Sequence, residues 1–176
     1  MKIILIRHGM TEGNLKRRYI GTTDEDLINT DCLKGDYPKC ERVVASPLKR
    51  CIQTAEYIYP NVDIEICDKL KECDFGDFEN KSYEDLKDNP DYQKWIDSNG
   101  ELPFPNGETH EDFKNRCKDG FFESLTERDT AFVIHGGSIM AIMQKLFGGN
   151  FYDYQVKNGC GYEFEMRNGE IVDDYS

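Results

Sequence analysis

Two short apolar runs stand out in this chain. Ile3-Ile4-Leu5-Ile6 and Ala131-Phe132-Val133-Ile134 are continuous rather than alternating, as in strands covered on both faces. Strands are expected over 2–6, 42–45, 62–66 and 131–134. The alternation Val62-Asp63-Ile64-Glu65-Ile66 predicts one solvated face. A terminal hairpin, 162–166 with 170–173, is expected to turn at Asn168-Gly169.

Helical spacing appears between the strands. Ile52, Ala55 and Tyr59 follow Ser46-Pro47, a helix start signal. Phe113, Cys117, Phe121 and Leu125 step by four. Ile139, Ile142, Met143 and Leu146 form a third stripe that ends at Gly148-Gly149. Strand–helix alternation predicts an α/β fold, a parallel or mixed sheet covered by helices. Residues 82–107 read as short helices broken by Pro90, Pro103 and Pro105, and 77–112 as a pocket rim or lid of a single domain over 1–176. Residues 21–42 lack periodicity and read as a long loop.

The charge balance narrows the partners. With a formal net charge of −12, the surface repels nucleic acid and anionic membranes. Any phosphate site is therefore a local concentration of cations. Seven cysteines without a Cys-x-x-Cys pair argue against a disulfide framework and a zinc site, and for a reducing cytoplasm. The N-terminal apolar run is too short for a signal peptide, and no stretch is long enough to span a membrane. No metal or cofactor is expected.

The candidate chemistry lies where strands end. Two of three histidines do so: Arg7-His8-Gly9 follows the first apolar run and His135-Gly136-Gly137 the other. Ligands bind at such ends in α/β folds. Arg7, His8, Thr11 and Asn14 place a cation, an imidazole, a hydroxyl and an amide within eight residues, a set suited to an oxyanion. Arg50 falls in the first helical turn after the second strand, where a cation calls for a compensating anion. At 135–138 a strand hands over to a helix N-terminus, so the ring and the Gly136 and Gly137 amides can face one anion. The acidic, aromatic segment 71–79 can hold one carboxylate against apolar surface, raising its proton affinity. Spacing leaves open which one.

These residues, in this order, resemble the histidine phosphatase superfamily, whose members include cofactor-dependent phosphoglycerate mutases and α-ribazole phosphatases. Arg7-His8-Gly9-Met10-Thr11 with Asn14 resembles its signature, and Ser46-Pro47-Leu48-Lys49-Arg50 its second arginine motif. Leu70 to Glu79 resembles the proton-donor segment, Pro105-Asn106-Gly107-Glu108-Thr109 a Pro-x-Gly-Glu-Ser element, and His135-Gly136-Gly137 the second histidine motif. The resemblance implies a phosphoglycerate mutase-like three-layer αβα sandwich with a mixed, mostly parallel sheet. It implies His8 as nucleophile, forming a phosphohistidine. Arg7, Arg50 and His135 clamp the phosphoryl group, assisted by Asn14 and the Gly136 amide. Glu72 acts as acid and base, and Gly21, Thr22 and Thr23 form the substrate rim with Phe78 and Tyr83 nearby. The region 21–42 departs from the family pattern in lacking a regular helix.

The expected activity is metal-independent hydrolysis of a small phosphomonoester, in the manner of α-ribazole phosphatases. The alternatives are a cofactor-dependent phosphoglycerate mutase and a non-catalytic phosphate-binding module. The acidic surface favours a neutral or cationic leaving group over a second anion. The sequence leaves the oligomeric state open.

Overall fold

The computed structural model describes residues 1–172 and 175–176. In chain order its regular elements are β1 (Lys2–Arg7), α1 (Glu12–Leu15), β2 (Arg42–Ala45), α2 (Lys49–Ile58), β3 (Ile64–Ile66), α3 (Tyr83–Leu86), α4 (Pro90–Asp97), α5 (His110–Glu123), β4 (Thr130–Ile134), α6 (Gly136–Phe147), β5 (Gly161–Arg167) and β6 (Glu170–Ile171). Short 3-10 turns stand at Asp31–Leu33, Asp68–Leu70, Gly76–Phe78 and Phe151–Tyr154.

The sheet order is β3-β2-β4-β1-β5-β6. The first four strands in that order run parallel, and β5 and β6 add antiparallel at one edge. Central β4 and β1 are the two continuous apolar runs, because both their faces are covered. Ile3, Leu5, Phe132 and Ile134 pack towards Phe113, Cys117 and Phe121 of α5 and Ile139 and Met143 of α6. The alternate residues Ile4, Ile6, Ala131 and Val133 pack with Cys51 and Ala55 of α2. Helices on both faces of one mixed sheet give the expected three layers.

Details differ from the sequence reading. β3 starts at Ile64, so Val62 and Asp63 precede it, and at this sheet edge Ile66 is 50 % exposed. The hairpin is longer on its first strand and shorter on its second, and Asp173 lies outside the described residues. Pro90 does not break a helix but begins α4 as its first residue, with Asn89 as side-chain cap. A proline there loses only an N–H that has no helical partner anyway. Residues 21–41 are a loop with a single 3-10 turn, tied down by a bridge between Thr11 and Leu27, and Arg42 already begins β2. No helix among the described residues is long and apolar enough to cross a membrane.

Candidate active site

β1 and β4 are neighbours in parallel register, so the residues after them emerge side by side. The rings of His8 and His135 meet with centroids 5.2 Å apart at an interplanar angle of 67°. Both residues are buried.

The His8 Nδ1–H donates to the carbonyl of Gly9 at 2.7 Å. A carbonyl only accepts, so the proton sits on Nδ1 and the Nε2 lone pair is available. Burial, reinforced by the Arg50 charge, holds the His8 pKa well below the usual imidazole range, so the ring is neutral. The turn around it is braced twice. Asn158 Nδ2 donates to the carbonyls of His8 and Gly9 at 3.1 and 3.2 Å. Gly9 N donates to Thr54 Oγ1 at 2.8 Å, and that hydroxyl donates to Arg50 O.

His135 caps α6, with its Nε2 2.7 Å from Ser46 Oγ and 3.5 Å from the buried Cys51 Sγ. Its pKa too is driven far down, by burial first and then by Arg50. Ser46, at the end of β2, thus sets the ring of a histidine 89 residues away.

Two guanidiniums complete the cluster. Arg50, 0 % exposed on the first turn of α2, donates from Nη1 to Thr23 O at 2.7 Å and from Nη2 to Gly21 O at 2.9 Å. Arg7 donates from Nη1 to Val156 O at 2.7 Å. In both, the buried Nε–H has no partner. Neither pairs with a carboxylate among the described residues. Buried donors are rarely left unmet, and two uncompensated cations beside two neutral imidazoles are an environment that suits an anion. Arg50 is not a wholly open fork: part of it anchors the loop at 20–23, while the remaining donors point to a ligand role.

Glu72 accepts from Gly137 N at 3.1 Å through Oε2 and from Cys73 N at 2.9 Å through Oε1. Burial raises its pKa, opposed by those two N–H groups and then by Arg50 and Arg7. It is therefore the carboxylate of the 71–79 segment suited to carry a proton. One expectation changes here: the Gly137 amide serves Glu72, and among the two glycine amides only that of Gly136 is left for an anion.

A cavity of about 360 Å³ opens beside this cluster, lined by Arg7, Asn14, Glu72, Gly136 and Gly137 at its polar end. Asn14 Oδ1 accepts from Thr11 N and Asn158 Nδ2, so its amide group contributes donors. Aromatic side chains line it as well: Tyr19, Phe75, Trp95, Phe104, Phe151 and Tyr152. Gly21 and Thr22 line a second cavity that shares Glu72. Thr23 lines neither, because its N–H and hydroxyl both donate to Glu79 Oε1 at 2.8 Å. Phe78 is fully buried core and Tyr83 is exposed, and neither lines these two cavities. Sequence reasoning passed over Asn158 and His110, which lines the aromatic cavity, and read Ser46 as a helix start and part of an arginine motif without its contact to His135. It also placed Glu79 in an acidic segment without its role of holding the rim loop.

Paired imidazoles, partly unsatisfied guanidiniums and a protonatable carboxyl stand together in a phosphoglycerate mutase-like fold, a set of groups suited to phosphoryl transfer. The sequence matches the histidine phosphatase superfamily (branch 1) over residues 3–172, and the chain belongs to that family. It is 32% identical to the uncharacterized phosphatase PhoE of Bacillus subtilis, over 97% of this chain and 92% of that protein. It is 25% identical to the adenosylcobalamin/alpha-ribazole phosphatase of Salmonella typhimurium, covering 96% and 92%. The crystal structure of the alpha-ribazole phosphatase from Shigella flexneri superposes with a TM-score of 0.83 at 25% identity, covering 97% of this chain and 93% of that one.

Proposed function

We propose that this protein hydrolyses small phosphomonoesters in two displacements through a phosphohistidine at His8. His8 Nε2 attacks phosphorus; the P–O bond to the leaving group breaks, and Glu72 gives its proton to that oxygen. Glu72, now a carboxylate, takes a proton from water as it attacks the phosphohistidine, and the P–N bond breaks to release phosphate and restore His8. Arg7, Arg50 and His135 hold the phosphoryl oxygens, with Asn14 and the Gly136 amide. Such transfer asks the protein mainly for position and neutralising charge. The observation that carries this reading is the pair of buried, unpartnered Nε–H groups of Arg7 and Arg50 around a neutral His8.

The substrate reading follows from the cavity. Residues 77–112 supply Trp95, Gly100, Phe104 and His110 to its wall, and we read them as the rim over the phosphate cradle. Aromatic walls suit a flat, weakly polar leaving group, as the alpha-ribazole name of two relatives suggests. Turnover of a panel of phosphorylated nucleosides, sugars and hydroxy acids, without added metal, tests this. Preference for aromatic-base esters supports it; preference for glycerate phosphates contradicts it.

A further inference from the structure

A half-buried ion pair beside the Glu72 segment has no part in the chemistry so far. Arg116 on α5 grips Glu108 with both ends of its fork, Nε to Oε1 at 2.9 Å and Nη2 to Oε2 at 2.8 Å. The side chains are only 27% and 18% exposed. The remaining donors reach the segment carrying Glu72: Nη1 to Lys69 O at 2.8 Å and Lys71 O at 3.0 Å, Nη2 to Glu72 O at 3.2 Å. Glu108 holds the far side of the same segment. Its backbone N donates to Asp74 O at 2.9 Å, and its Oε2 accepts from Asp74 N at 3.3 Å.

We infer that Arg116, fixed by Glu108, is a positioning residue that sets the backbone of 69–74 so that the Glu72 carboxyl reaches the leaving oxygen. This rests on the acid–base role proposed for Glu72. The segment has a 3-10 turn at Asp68–Leu70 and then irregular backbone as far as Gly76, so its shape is set by tertiary contacts: the buried Leu70 and Cys73, Ser138 Oγ donating to Leu70 O, and the Arg116–Glu108 pair. A planar fork that bridges three carbonyls and a carboxylate fixes more geometry than a point charge does. Displacement of about 1 Å at a reacting group costs on the order of 10²-fold in rate.

The test is a double-mutant cycle read with two esters, an alkyl phosphate and 4-nitrophenyl phosphate, as kcat/KM. This parameter reports the first phosphoryl transfer. Glu72→Gln should depress the alkyl ester far more than the aryl ester, since only the poor leaving group needs the proton. Arg116→Met should show the same selectivity, with an alkyl loss on the order of 10²-fold, and should add little in the Glu72→Gln background. Equal losses on the two esters for Arg116→Met, or a full additive loss in that background, overturn the inference while leaving the Glu72 assignment intact. Equal losses for Glu72→Gln itself remove the reading on which it rests. Glu108→Gln, which keeps the shape and removes the charge, should give the same selectivity if Arg116→Met fails to fold; an unselective loss there counts against the inference equally.

Discussion

Gly137 and Glu72 are matched in space: the Gly137 N–H donates to Glu72 Oε2, and a Cβ on Gly137 would stand 2.3 Å from Glu72 Oε1. A methyl group there has nowhere to go unless the carboxyl moves. Gly137→Ala should therefore leave the fold intact and lower kcat for alkyl phosphates by about 10²-fold, the scale for a misplaced acid. Steady-state kinetics on alkyl and activated aryl esters, with circular dichroism to check folding, measures it. Unchanged alkyl turnover would show that the contact is incidental.

pH separates the roles of His8 and Glu72. Burial keeps His8 neutral through and below the usual imidazole range, so its titration should place no limb near pH 6.5 in the rate profile. The proposed mechanism requires Glu72 protonated, so alkyl-ester kcat/KM should fall as pH rises through its raised pKa. That fall should vanish in Glu72→Gln, which distinguishes it from titration of the substrate phosphate.

Stability follows the same linkage with a definite sign. The native pKa values of His8 and His135 lie below those of the unfolded chain. The unfolded state takes up protons near pH 6.5 that the native state refuses, so the stability present above that pH is lost as pH falls. Urea midpoints should drop between pH 7.5 and 5.5. A flat midpoint across this range would argue that the imidazoles are not held neutral.

Glu79 secures the rim loop from the side opposite Arg50. It accepts from Gly21 N at 2.9 Å and from the N–H and hydroxyl of Thr23, whose carbonyl accepts from Arg50. Glu79→Ala leaves three donors without this partner and should cost about 1–3 kcal/mol. It should also weaken inhibition by inorganic phosphate, because Arg50 loses its fixed anchor. Thermal unfolding and phosphate inhibition constants read the two effects.

The parts of the fold that sequence revealed are those governed by local periodicity. β1 and β4 are covered on both faces and so are apolar throughout, while α2, α5 and α6 each bury one stripe. The site was legible where residues share a strand end: Arg7 with His8, and His135 with Gly136. It was not legible where the chain returns from afar. Asn158 braces the His8 turn from an irregular connection 150 residues on, and Ser46 orients His135 from the end of the neighbouring strand β2. Pro90 looked like a breaker because its effect depends on whether a capped helix begins beside it, as at Asn89.

The most direct measurement is isolation of the covalent intermediate. Mixing the protein with a 32P-labelled phosphomonoester and quenching in alkali should yield label that is base-stable and acid-labile, mapping to His8 by peptide analysis and lost in His8→Ala. Turnover with no phosphohistidine in a rapid quench, or label that persists at another residue in His8→Ala, would contradict the account.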